Sequence, residues 1–179
     1  SGMDLEQPSY LYGTIHIIPS EDFFLPEGTL SAFDTASTLY LEVDMESLQD
    51  PAEQMKMLSK SFMQGDVSLS ELVSEEEYEM LKNHFSKLGL PIIFLERIKP
   101  MFLTVFADER ITPTAMNDGS IKVYELEFTE LANQNNMSVR GLETIEYQLA
   151  IMDSIPYDEQ ARMLVESIEA EKEGQAQFD

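Results

Sequence analysis

Residues 10–19, Tyr-Leu-Tyr-Gly-Thr-Ile-His-Ile-Ile-Pro, combine a short β-prone run with a glycine and a histidine. Tyr10 to Tyr12 favour a pleated strand, and Gly13 allows the backbone to bend where that strand should end. His16 is then expected at a strand end, where α/β sheets place ligand-binding and catalytic groups. The alternative is a histidine that only packs or hydrogen-bonds in a loop.

Residues 39–44, Leu-Tyr-Leu-Glu-Val-Asp, form a second β-prone run with Glu42 inside it. An ionised carboxylate in a buried strand is costly unless it is paired or binds a cation. Glu42 therefore needs a partner if the strand is buried. The alternative is a strand end with Glu42 and Asp44 on the solvent-exposed face, and the pattern leaves both interpretations open.

Helical signals fill most of the remaining chain. Residues 74–77, Ser-Glu-Glu-Glu, have the form of a capping box and predict a helix that ends at Gly89. His84 lies on the side of this helix, where a surface or packing role is expected. Periodicity, caps and prolines predict further helices at residues 29–35, 50–63 and 122–135. Other helices are predicted to begin at Pro100, at Thr144 and near Pro156. The last of these is followed by a polar tail at residues 169–179.

An extended run at residues 137–144 repeats the opening pattern, with a glycine followed by an acidic residue. Strand signals thus alternate with helical ones along a chain of 179 residues, a length that suits one domain. We therefore predict a single α/β domain, residues 1–179, with a small mixed sheet flanked by helices.

The composition excludes several classes of partner. The chain carries 34 acidic residues against 11 lysines and arginines, a formal net charge of −23. Nucleic-acid affinity depends on neutralising phosphates, so a nucleic-acid partner is not expected. No apolar run approaches the roughly 20 residues of a membrane-spanning helix. The sequence has no cysteine, which excludes disulfides and thiolate chemistry.

Three motifs occur in order: Tyr-Leu-Tyr-Gly-Thr-Ile-His at 10–16, Leu-Tyr-Leu-Glu-Val-Asp at 39–44, and Gly-Leu-Glu-Thr at 141–144 followed by Gln148. With this order and spacing the chain resembles the TraB/PrgY/GumN family, in a Bacteroidetes-like branch. That family is related to the TIKI metalloproteases and more remotely to the erythromycin esterase and ChaN-like folds. The resemblance implies an N-terminal, partial domain, because relatives continue into a second half with another Gly-x-x-His. It also implies a periplasmic, secreted or lipoprotein-anchored parent protein.

The resemblance further implies a metal-dependent, peptidase-like hydrolase. Carried over by position, the metal ligands are His16, Glu42, Glu125 and Glu143, with His16 and Glu143 as the catalytic residues and Glu143 as general base. At Glu125 the chain departs from relatives, which usually have aspartate after Gly-Val, whereas Tyr124 precedes it here. One histidine with carboxylates suits Mn²⁺, Co²⁺ or Zn²⁺.

Two other functions remain open for this chain. One is a metal-free esterase-like hydrolase in which His16 is the general base and a glutamate orients it. The other is a non-catalytic binding or regulatory module that sequesters a peptide or haem-like ligand through an aromatic loop at Phe23 and Phe24. We expect the substrate or ligand to be a peptide or a small molecule, and we expect a homodimer to cover exposed sheet edges.

Overall fold

The strands form two separate two-stranded sheets in this computed structural model, which describes residues 8–43, 50–112 and 114–176. β1 (Ile18–Pro19) pairs antiparallel with β3 (Ile121–Lys122). β2 (Thr38–Val43) pairs parallel with β4 (Ser138–Glu143). Helices pack against both pairs. The α/β prediction is therefore confirmed, with the strands divided between one antiparallel and one parallel pair.

The strand predicted at Tyr10–Tyr12 is wrong, because residues 8–15 pair with no strand of the described chain. Side chains hold this segment instead: the Tyr12 ring packs edge-on against Phe128, with the ring centroids 4.9 Å apart. A strand needs a hydrogen-bonding neighbour, and β-propensity alone does not supply one. His16 consequently precedes the first strand and does not end one.

Most of the predicted helices are present. The helix predicted at residues 29–35 is confirmed at both ends, and α4 begins at its capping box, where Glu77 accepts a hydrogen bond from the Ser74 amide at 2.7 Å. The helices of the described chain are α1 (Thr29–Thr35), α2 (Pro51–Lys60), α3 (Leu69–Leu72), α4 (Glu75–Lys87), α5 (Pro100–Leu103), α6 (Ala115–Asp118), α7 (Tyr124–Gln134), α8 (Ile145–Asp153) and α9 (Tyr157–Ala176).

Two short 3₁₀ turns flank α5, at Ile92–Phe94 and Thr104–Phe106. The helix predicted from Pro100 is therefore a single α-turn that tightens into a 3₁₀ turn. Leu103 at its end is 2% exposed and belongs to the core.

The main core lies where α9 packs against α3, α4 and α5. Its centre consists of side chains that solvent does not reach: Leu69, Leu81, Phe85, Leu164 and Ile168. Truncation of a buried Leu, Ile or Phe to alanine typically costs about 2–5 kcal/mol. This helical layer, and not the sheets, therefore contributes the largest packing term among the described residues.

α2 contributes little to that core. Asp50 caps it, accepting a hydrogen bond from the Ala52 amide at 2.8 Å, and Pro51 is its first residue, which confirms the predicted start. Yet Met55 is 65% exposed and Leu58 is 54% exposed. The helical pattern is thus correct, but its apolar side faces away from the described core.

α9 is longer than the sequence predicts. The polar tail expected from residue 169 is helical through Ala176, so acidic residues beyond Ile168 project from a packed helix. One of them, Glu171, is only partly exposed. No helix in residues 8–43, 50–112 and 114–176 is both long and apolar enough to cross a membrane.

Candidate functional site

His16 and Glu125 form a contact pair. Nδ1 of His16 lies 3.2 Å from Oε1 of Glu125, and the same oxygen accepts a hydrogen bond from the Thr14 hydroxyl at 2.8 Å. The His16 side chain is 73% exposed, whereas that of Glu125 is 11% exposed. An ionised carboxylate only accepts hydrogen bonds, so Nδ1 carries a proton, and in the neutral imidazole the exposed Nε2 then holds the lone pair.

The first turn of α7 positions Glu125. There the helix dipole favours a carboxylate, because the first backbone amides have no acceptor within the helix. Aromatic packing brings the His16 segment against this turn: Tyr12 contacts Phe128, and Phe23 lies 4.7 Å from Tyr124 between ring centroids. Burial raises the pKa of Tyr12. Contacts between aromatic rings thus position the His16 segment, a role that the sequence pattern assigned to a strand.

The second oxygen of Glu125 is chemically unusual. Oε2 is buried and makes no hydrogen bond to any described residue. A carboxylate oxygen withdrawn from water without a partner costs free energy, which a cation or a proton would recover. Glu125 therefore has the burial and the vacant acceptor that a metal ligand or a catalytic carboxylate would have.

Glu42 and Glu143 form a second pair, on the parallel sheet. The register places Glu143 opposite Val43, the neighbour of Glu42. The Gln148 side-chain amide donates to both carboxylates, at 3.4 Å to Glu42 Oε2 and 3.0 Å to Glu143 Oε2. Both glutamates are exposed. The solvent-facing interpretation of Glu42 is therefore correct, and a glutamine supplies its partner; Asp44 lies outside the described residues.

The four predicted site residues thus occur as two pairs. A metal ion needs several ligand atoms close together. Within residues 8–43, 50–112 and 114–176, one group of three acidic or histidine side chains has ligand atoms within 4.8 Å of one another, and it contains none of these four residues. Two open depressions, of about 380 and 260 Å³, are also lined by other residues. The four predicted residues do not converge into one ligand cluster here.

Sequence reasoning missed the group that does converge, which consists of His84, Glu109 and Glu171. His84 is 1% exposed, so its expected packing role is correct and a surface position is wrong. The available signal was a histidine beside the buried Phe85 on the apolar side of α4. Its acidic neighbours come from distant segments that no local pattern connects to it.

The aromatic loop at residues 19–28 is only partly available to a ligand. Phe23 packs against Tyr124, and the Lys122 ammonium lies 4.8 Å from the centre of its ring. Phe24 is 65% exposed, while its carbonyl oxygen accepts a hydrogen bond from the Tyr124 hydroxyl at 2.9 Å. One exposed ring is a small surface for peptide recognition.

An α/β chain with a histidine–glutamate pair and, separately, two strand-borne carboxylates has the residue types of a hydrolytic or metal-binding site. The chain belongs to the TraB/PrgY/gumN family, whose profile matches residues 2–179. The family predicted from the three motifs is therefore confirmed.

The chain is similar to metalloprotease TIKI2 of Danio rerio, with 30% identity over 104 residues, which cover 58% of this chain and 18% of that protein. It is also similar to metalloprotease TIKI1 of Danio rerio, with 21% identity across 86% of this chain and 35% of the relative. An uncharacterized protein of Treponema pallidum (strain Nichols) is 29% identical across 87% of this chain and 46% of that protein. The chain thus matches less than half the length of each. No solved structure is significantly similar to it.

Proposed function

We propose that this chain carries part of a metal-dependent, peptidase-type hydrolase site centred on His16 and Glu125. One observation supports it above all: a buried glutamate orients an exposed imidazole and keeps one oxygen without a hydrogen-bond partner among the described residues. Similarity to two proteins named as metalloproteases supports the same reaction class.

The residues present fit a divalent ion of the Mn²⁺, Co²⁺ or Zn²⁺ type. With Nδ1–H donated to Glu125, His16 offers Nε2 as a nitrogen ligand, in the carboxylate–histidine arrangement that orients metal-bound imidazoles. An ion on Nε2 would lie on the side of the ring away from Glu125, so Glu125 acts by orienting His16. Glu42 and Glu143 supply a separate pair of exposed carboxylates on the parallel sheet. A bound ion would polarise the scissile carbonyl and acidify a water molecule.

The protein groups have separable roles in this proposal. Glu125 holds the tautomer and the orientation of His16, and Thr14 fixes Glu125 through its hydroxyl. Glu143 is the proposed general base, because the Gln148 amide orients its carboxylate and leaves it exposed to water. Gln148 also holds Glu42 at the same sheet edge.

The test is a titration of the chain with zinc. Binding is measured by calorimetry and by the imidazole ¹⁵N signals of the two histidines. We expect saturable movement of the His16 signals and loss of that site in His16→Ala. Glu125→Gln should lower the zinc affinity of the His16 site by at least about tenfold. Glu130→Gln, an exposed change on the same helix, is the matched control. His16 signals that stay fixed at saturating zinc would remove the proposal.

Hydrolysis needs its own readout. A fluorogenic peptide should be cleaved with metal, and cleavage should fall in Glu143→Gln and after chelation. The His16–Glu125 hydrogen bond also supports a second candidate, the metal-free esterase, in which His16 Nε2 takes a proton directly. Ester hydrolysis that survives exhaustive chelation but not His16→Ala would favour that candidate over the metal-dependent one.

A further inference from the structure

A separate cluster joins three distant segments of the chain. His84 lies on α4, Glu109 follows the 3₁₀ turn Thr104–Phe106, and Glu171 lies on α9. One ligand atom from each lies within 4.8 Å of the others. Two ligands that are each about 2.1 Å from a metal ion are roughly 3–4 Å apart, so small side-chain adjustments would close this cluster around an ion.

His84 provides the observation that points to a ligand. The residue is 1% exposed, and its Nε2 lies 2.7 Å from the carbonyl oxygen of Phe106. A carbonyl oxygen only accepts, so Nε2 carries the proton and donates it. Nδ1 makes no hydrogen bond to the described residues and lies 3.7 Å from Oε1 of Glu109.

In the neutral tautomer, a lone pair on the buried Nδ1 therefore faces an oxygen of Glu109, a side chain that is 24% exposed. Two acceptors at this separation need something positive between them. Metal-binding histidines show the same division of labour: one ring nitrogen donates to a backbone carbonyl, and the other nitrogen is left for the ion.

Lys87 is the competing cation. Its ammonium donates to Glu109 Oε1 at 2.7 Å, and this hydrogen bond raises the pKa of Lys87. The Lys87 side chain is 59% exposed and compensates one carboxylate from the solvent side, while two carboxylates converge on the histidine. The Glu109 amide also donates to Glu171 Oε1, at 3.5 Å, which links the loop to α9.

We propose that His84, Glu109 and Glu171 bind a divalent cation that is distinct from the ion of the hydrolase site. One imidazole nitrogen with two carboxylates is a donor set for Zn²⁺, Co²⁺ or Mn²⁺. The ion ties the late part of α9 to α4 and to the loop after residue 106. Since these segments are distant in the sequence, binding stabilises the folded chain.

The experiment is performed on the chain carrying His16→Ala, which leaves His84 as its one histidine. Metal is removed by chelation, and Zn²⁺ is then titrated while imidazole ¹⁵N signals and thermal unfolding are recorded. We expect the Nδ1 signal of His84 to shift, with one equivalent bound and a higher midpoint temperature. Neither readout depends on hydrolysis, so the hydrolase proposal and this one fail independently.

Glu171→Gln in the same background should raise the apparent Kd for zinc by at least about tenfold. Glu173→Gln, an exposed change on the same helix, should leave it unchanged. Both variants keep His84 in place, which avoids the unfolding that truncation of a buried side chain invites. His84 signals that do not move at saturating zinc, or equal affinities for the two variants, would overturn the proposal.

Discussion

Removal of Asp153 should destabilise the chain strongly, because Asp153 is the counter-ion of a buried lysine. The Lys99 ammonium donates to Asp153, the last residue of α8, and the Lys99 side chain is 2% exposed. Breaking such a pair from one side costs about 3–5 kcal/mol, since a charge is left buried without compensation. The Asp153 side chain is 30% exposed, so we expect the lower end, about 3 kcal/mol.

For a chain of this size, about 3 kcal/mol corresponds to a fall in Tm of roughly 6–12 °C. Urea unfolding of Asp153→Ala is followed by far-ultraviolet circular dichroism, since the sequence contains no tryptophan. Asp34→Ala, an exposed change on α1, is the control and should stay within about 0.5 kcal/mol of the parent.

The double variant Lys99→Met/Asp153→Ala gives the sharper result. Methionine fills a similar volume without a charge, so the double variant should be more stable than Asp153→Ala alone. The reasoning is refuted if Asp153→Ala loses less than about 1 kcal/mol, or if removing the lysine as well makes the chain still less stable.

Three further outcomes concern a helix cap, a tyrosine and the oligomeric state. Ser74 hydrogen bonds lower the pKa of Glu77 below its ordinary 4.5, so this stabilisation is present above that value and is lost as pH falls through the lowered one. Glu77→Gln should therefore unfold more easily than the parent at pH 7, with a deficit that disappears in acid; a constant deficit across pH would contradict this. The hydrogen bond to Glu96 raises the pKa of Tyr78 to about 12, so alkaline absorbance titration of Tyr78→Phe should lose the latest of the tyrosine transitions. Light scattering should give the mass of a homodimer, and a monomeric mass would contradict it.

Local signals predicted the helices well. The Ser74–Glu77 capping box, Pro51 and the Thr144 cap mark three helix starts, because hydrogen bonds between near neighbours decide them. β2 and β4 were also found, β2 from its β-branched and aromatic residues and β4 from an extended run that ends in glycine and an acidic residue. These features need only a few consecutive residues to be specified.

Features that depend on distant partners were not predicted. Tyr10–Tyr12 has the composition of a strand but packs through Tyr12 against α7. The metal ligands expected from family resemblance separate into two pairs, because strand register and helix placement decide which carboxylates meet. The position of His84 was visible, whereas the approach of Glu109 and Glu171 depends on how α9 packs.

The parallel pairing of β2 with β4 also constrains the order in which the chain can fold during synthesis. Thr38 pairs with Ser138, which is 100 positions later in the chain. At about 5–20 residues per second, β2 leaves the ribosome roughly 5–20 s before its partner exists. Throughout that interval its backbone amides and carbonyls have no native partner strand, which is the condition under which edge-to-edge association begins. The rate of translation between these two strands should therefore affect how much of the chain reaches the folded state without aggregating.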